Sequence, residues 1–259
     1  ASKYHWEQGH PGVEACYRSL QERYHWRGML SDITRIIKYC QGCQLYRDNK
    51  PAKHKSGTTQ IVHEEGIPAH TILIDVLGPY GGEAHSITKE GKKAKNRAIV
   101  IQDQFTRFIQ IYPVEKVDAV EICARVQEWG HLMGQPRMVK SDCATSMISD
   151  GIMRWYELMG IKKRQSSAYR PQSHGRLERV MEYIHRHVRT VMAGRKEGWE
   201  KIAQAVASSW NQLPHEALRS YCPHLLMFGR RPLKTIDLQF EFPDNDGDKY
   251  TVKQWATKQ

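Results

Sequence analysis

Two histidines and two cysteines near the start constrain the fold more than anything else in the chain. His5 and His10 are separated by the four residues WEQG, and Cys40 and Cys43 close "CQGC" thirty positions later. Two imidazoles and two thiolates make a closed tetrahedral set of the kind structural zinc takes, with no position left for water. Between them, "PGVEACYRSLQERY" predicts a helix entered at Pro11, with Val13, Cys16, Tyr17 and Leu20 on one face. "LSDITRIIKYC" predicts a second, capped by Ser31 or Asp32, that turns Ile33, Ile36 and Ile37 inward. A core of under fifty residues built on helices this short needs the metal to hold it. Residues 1–46 therefore read as a small all-α zinc-binding module with one structural Zn²⁺. The remaining cysteines, Cys16, Cys123, Cys143 and Cys222, are scattered and suggest no disulfide framework.

Residues 47–66 are polar and without periodicity, and read as a linker. The pattern then changes. "HTILIDVL", "RAIVIQD", "TRFIQIYPV", "RMVKSD" and "IKKRQ" read as strands, with helical spacing in "DAVEICARVQEWGHLM", "SDGIMRWYELMG" and "WEKIAQAVASSWN". Strands alternating with helices in this order predict an α/β domain, a sheet covered by helices, over residues 67–232. Residues 233–259 read as an acidic tail. The chain has no apolar run long enough for a membrane span and no apolar stretch at its start, so a membrane partner and a secretory signal are not expected. A formal net charge of +11 suits a polyanionic partner.

Three acids stand out in this basic chain. Asp75 lies inside the first strand, where an unpaired carboxylate is costly. Asp142 ends the fourth strand, and Glu178 sits between Arg176 and Arg179, just beyond the loop "SSAYRPQSHG". Adjacent strands can bring two of these acids together, and a helix across the sheet edge can deliver the third. Three such carboxylates repel unless cations lie between them. Two Mg²⁺ ions about 3.5–4 Å apart would activate a water or hydroxyl and stabilise the leaving oxygen of an in-line phosphoryl displacement.

With these residues in view, the chain resembles the integrases of retroviruses and LTR retrotransposons, most closely the gypsy class, from His5 to Pro232. The His-His-Cys-Cys module with its "GHPG" turn resembles that family's zinc domain. Asp75 in "LIDVLGP", Asp142 in "VKSD" and Glu178 in "YRPQSHGRLERV" match its D,D-35-E triad, and "SWNQLPHEALRSYCPHLLMFGRRP" resembles the end of the gypsy-type core. The resemblance implies an RNase H-like catalytic core and an endonuclease and strand transferase that holds two Mg²⁺ or Mn²⁺ ions on Asp75, Asp142 and Glu178. It would trim the 3′ ends of element DNA and join them to target DNA. Tyr169, Gln172, Ser173 and His174 would line the loop that holds the DNA end, with Lys163, Arg170 and Arg176 on phosphates. The partners implied are double-stranded DNA, further copies of the chain as a homo-oligomer, and chromatin or a host factor. The location implied is the nucleus, reached through the cytoplasm in an integration complex.

Some features depart from the family. "CATSM" after Asp142 lacks the usual glycine, and His174 stands where relatives carry another polar residue. The family continues into a C-terminal DNA-binding domain for which the stretch after Pro232 leaves no room, as expected of a piece cut from a longer protein or of a chain that lost it. The alternative function is a domesticated integrase-derived protein that binds DNA or protein without catalysis. A ribonuclease on the same type of sheet fits the carboxylates and leaves the zinc module unexplained. Along the helix after the loop, Leu177, Val180 or Met181, Ile184, Val188 and Val191 form an apolar stripe, and Glu182 and His185 read as ion pairs or supports of the triad.

Overall fold

A computed structural model of the chain describes residues 1–46, 66–79, 95–141, 149–165, 180–188, 190 and 199–239. Four short helices build the N-terminal module: α1 (Ser2–Glu7), α2 (Val13–Gln21), α3 (Met29–Lys38) and α4 (Gln41–Tyr46). Cys16 and Leu20 of α2 and Ile33 and Ile37 of α3 are buried with Tyr4 in one cluster, as their helical spacing predicts. Helix α3 starts at Met29 after Gly28, ahead of the expected caps at Ser31 or Asp32. Asp32 is committed to side chains: its Oδ2 accepts from the Trp26 indole at 3.0 Å and its Oδ1 from Arg35 at 2.8 Å.

The larger domain contains β1 (Thr71–Leu77), β2 (Arg97–Asp103), β3 (Ile109–Val114), α5 (Ala119–Met133), β4 (Met138–Ser141), α6 (Asp150–Leu158) and β5 (Lys162–Gln165). The helical stretch 180–188, here α7, and α8 (Trp199–Gln212) follow, then a 3₁₀ turn at Glu216–Leu218, α9 (Pro223–Phe228) and α10 (Thr235–Gln239). The five strands form one mixed sheet in the order β3-β2-β1-β4-β5. β1 pairs antiparallel with β2 and parallel with β4, which makes it the middle strand.

One face of the sheet carries Ile72, Ile74, Ile99, Ile101 and Val139, which pack with Ile122, Val126 and Trp129 of α5 and Ile152 and Tyr156 of α6. The other carries Leu77, Ala98, Val100 and Ile111, which pack with Val180, Ile184 and Val188 of α7 and Ile202, Val206 and Trp210 of α8. Covered on both sides, β2 reads as a continuous apolar run rather than an alternating one.

β3 is an edge strand, and α8 closes that edge with side-chain hydrogen bonds. Asn211 accepts from the Ile109 N–H and donates to the Ile109 carbonyl, both at 2.9 Å, and Gln204 donates to the Ile111 carbonyl at 2.9 Å. The Trp210 indole donates to the Arg107 carbonyl at 2.9 Å. Backbone groups that would otherwise template another strand are thus satisfied within the chain.

The zinc module rests on α7, α8 and the last described segment. Ser209 Oγ donates to the Gln8 carbonyl and lies 2.9 Å from the Tyr183 hydroxyl. Gly9 has φ 66°, and a Cβ there would meet His187 Cδ2 at 3.3 Å, so both conformation and closeness favour glycine. Residues 233–239 fall in the stretch expected as an acidic tail, and here Ile236 joins the module's apolar cluster. Lys234 Nζ donates to Ser19 Oγ and lies 5.6 Å from the centroid of the Tyr4 ring, while Asp237 pairs with Arg23 at 3.2 Å. Burial holds the Lys234 ammonium below its usual pKa, opposed by Glu22 and Asp237.

Two outcomes follow from this packing. Asn211→Ala strands both backbone groups of Ile109, and urea denaturation is expected to show a loss of about 2–4 kcal/mol. His215, packed on Trp210 with its Nε2 donating to the Trp210 carbonyl, is driven by burial to a pKa of about 4. The unfolded chain takes up that proton near pH 6.5, so stability falls as pH drops from there through 4. His215→Gln is expected to shrink the stability difference between pH 7 and 5 by roughly 1–2 kcal/mol.

Candidate zinc centre and carboxylate site

The four ligands anticipated in the module come together. His5 Nε2 and His10 Nδ1 lie 3.2 Å apart; Cys40 Sγ is 3.2 Å from His10 Nδ1, and Cys43 Sγ is 3.3 Å from His5 Nε2. All four donor atoms fall within 4.8 Å of one another, and all four residues are buried. A tetrahedron with Zn–N near 2.0–2.1 Å and Zn–S near 2.3 Å has edges of roughly 3.3–3.8 Å. The donor set fits one zinc ion with every position taken by protein.

Local backbone explains how these residues meet. After α1, Gly9 and His10 both take left-handed conformations, at φ 66° and 61°, and the His10 N–H returns to the His5 carbonyl at 2.8 Å. A non-glycine residue held there is strained, and a metal bond to its side chain can offset that cost. Cys40 immediately precedes α4 and Cys43 lies in its first turn, which presents both sulfurs to one side.

Asp75 lies at the fifth position of β1, half-buried and paired with Val100 of β2. Its Oδ1 accepts from the Val76 N–H at 2.7 Å, which fixes the orientation of the carboxylate. Residues paired across strands project from the same face, so Asp75 faces the α7–α8 side with Val100. β1 and β4 pair in parallel through Ile74 and Ser141, the residues that precede Asp75 and Asp142 in the sequence. Asp142 and Glu178 lie outside the described residues, as do Tyr169, Arg170, Gln172, Ser173, His174 and Arg176.

Lys163, expected on DNA phosphates, is paired with Val139 and so projects from the face opposite Asp75, where its Nζ donates to Ser141 Oγ. Of the basic strand residues on Asp75's own face, Lys140, paired with Leu73, and Arg164, paired with Lys140, lie nearer to it in register than Lys162, paired with Met138. These two were missed in the sequence, because parity along "VKSD" and "IKKRQ" acquires meaning only once the register is known. Glu182, one turn along α7, pairs with Arg186 at 3.2 Å.

For the zinc centre, the expected outcome is one zinc per chain by atomic emission, with Cys43→Ser losing most of it. Chelation should lower helical circular dichroism and the melting temperature together. A full zinc complement in Cys43→Ser would remove that thiolate from the ligand set.

Residues 2–49 match the integrase zinc binding domain. The chain is 26% identical to the Pro-Pol polyprotein of feline foamy virus over 247 residues, 95% of this chain and 20% of that protein. It is 23% identical to gypsy retrotransposon integrase-like protein 1 of Rattus norvegicus over 229 residues, 86% of this chain and 40% of that one. The chain thus spans between a fifth and two fifths of the length of these curated relatives. In fold, it is similar to a chain of the simian T-cell lymphotropic virus intasome solved in complex with PP2A regulatory subunit B56 gamma. There the TM-score is 0.59 at 11% identity, over 96% of this chain and 78% of that chain. The likeness runs through the zinc module and the sheet domain together rather than through either alone, and the chain is of the retroviral and gypsy integrase type.

Proposed function

We propose that the chain is a DNA strand transferase that performs 3′-end processing and strand transfer for the insertion of element DNA into target DNA. The observation that carries this reading is Asp75: a half-buried carboxylate in the middle strand of an otherwise apolar β1, beside the strand whose next residue in sequence is Asp142. Glu178 follows with 35 residues between it and Asp142, the spacing of the integrase triad. A formal net charge of +11 adds support for a DNA partner.

Carboxylate oxygens suit Mg²⁺ or Mn²⁺, and Asp75, Asp142 and Glu178 would hold two such ions. When bound, the ions supply Lewis-acid activation of the attacking oxygen and stabilise charge on the leaving one. The backbone N–H of Val76 keeps the Asp75 carboxylate in one orientation. In end processing, a water oxygen bonds to a phosphorus and the P–O3′ bond breaks, leaving a 3′ hydroxyl on element DNA. In strand transfer, that hydroxyl oxygen bonds to a target phosphorus while the target's own P–O3′ bond breaks, so the number of phosphodiester bonds is unchanged. The reading extends to a homo-oligomer on double-stranded DNA in the nucleus, with chromatin or a host factor beside it. The solved intasome with its PP2A subunit supports that extension by analogy.

The test is a strand-transfer assay with a short duplex, supercoiled plasmid and Mg²⁺ or Mn²⁺. Joined product is expected from the wild type and none from Asp75→Asn, Asp142→Asn or Glu178→Gln, with DNA binding retained in all three. Metal-dependent nicking without joining would favour a nuclease. Tight DNA binding with no product on any end would favour the domesticated, non-catalytic reading, to which the unusual "CATSM" after "VKSD" lends some weight.

A further inference from the structure

The face of the sheet that carries Asp75 also carries an open cleft of about 330 Å³ at the Thr71 end of β1. Lys140, Arg164 and His70 line it with Gln104 and Phe105. Lys140 Nζ donates to Gln104 Oε1 at 2.7 Å, which holds the ammonium toward the cleft. Arg164 is exposed beside it on the neighbouring strand, and no carboxylate partner of Arg164 is present among the described residues. The walls are fixed by backbone. The Gln104 N–H donates to the Thr71 carbonyl at 2.9 Å, the Arg137 and Met138 N–H groups to the His70 carbonyl at 2.9 and 3.1 Å, and the Ala69 N–H to Asp103 at 3.0 Å. Gly66 completes the wall against Phe105, where a Cβ would meet the ring at 3.0 Å.

We infer that this cleft binds the backbone phosphates of a nucleic acid strand running along the sheet from Asp75. A lysine held by Gln104, an exposed guanidinium beside it and an imidazole suit an anion, and the aromatic ring of Phe105 suits a nucleotide over a bare oxyanion. Lys140 is level with Leu73, two residues from Asp75, and the far wall at Thr71 is four residues away. At about 3.4 Å per strand residue these offsets are roughly 7 and 14 Å. That corresponds to roughly two to four nucleotides of B-form rise from the carboxylate. The inference rests on the reading of Asp75 as part of a DNA-processing site and adds where the strand goes.

The experiment measures duplex DNA binding by fluorescence anisotropy across a salt series, without magnesium, on the full zinc-loaded chain. Comparison is between wild type, Lys140→Gln/Arg164→Gln and Arg154→Gln, the last removing an exposed charge from α6, which packs on the opposite face. The double variant should lower the slope of log affinity against log salt by about two, near 0.9 per lost contact. It should weaken binding at least about tenfold at moderate salt, and Lys140→Arg should retain wild-type behaviour. Arg154→Gln should change little. Wild-type slope and affinity in a double variant with full zinc and unaltered circular dichroism would overturn the inference, as would a loss no larger than that of Arg154→Gln. If inorganic phosphate binds the cleft in a Lys140-dependent way while the DNA slope stays unchanged, the site takes a free anion and the nucleic-acid assignment falls. Strand transfer is scored separately, so a wild type that binds through the cleft yet joins nothing sinks the catalytic reading alone.

Discussion

The parallel pairing of β1 with β4 is the constraint on which the candidate site depends. Side chains alternate along a strand, so a register shift of one residue would exchange the faces of an entire strand. The pairs Ile74–Ser141 and Leu73–Lys140 put Ile74 and Val139 into the core under α5 and α6 and leave Asp75 on the other side. Apolar burial enforces this choice: turning Ile72 and Ile74 outward would forfeit roughly 2 kcal/mol or more for each side chain. The face on which the carboxylate lies is therefore set by the hydrophobic residues on either side of it, and the Val76 N–H then orients it.

The zinc centre is a second constraint, and it reaches beyond its own module. A zinc ion on these four ligands would tie α1 and α4 together, and the surface they form is what Ser209, His187 and Ile236 pack against. Loss of the ion would leave Tyr4, Lys234 and Asp237 partly buried without their present partners, and a buried charge without a partner is strongly destabilising. Zinc affinity and the attachment of the module to the core should therefore be linked quantities.

What was legible in the sequence follows from the range of the interactions involved. β2 and α5 were readable because their signals are local: a β-branched run in one, and in the other Ile122, Val126 and Trp129 at helical spacing. The zinc ligands were readable because four side chains of two chemical kinds at tight spacing have few other uses. Helices α1 and α4 were not, since six residues carry too little periodicity and the metal ligands impose their form. Asp32 looked like a cap because the sequence does not show Trp26 competing for its carboxylate. The grouping of Lys140 with Arg164, in place of Lys163, depends on two strand registers at once, which no local pattern encodes.

The spacing of charge along the Asp75 face has its own logic. A lysine in direct contact with a carboxylate would neutralise it and compete with any cation meant for it. Set two residues back on the adjacent strand, Lys140 has its backbone roughly 7–8 Å from that of Asp75 on the diagonal, and its ammonium is tied to Gln104 at the Thr71 end. An ammonium held at that end offers a phosphate a charge-assisted hydrogen bond, while carboxylate oxygens at the other end suit a divalent cation. A face that carries an acid at one level and bases two and four residues further on can thus keep cations at one end and phosphates at the other.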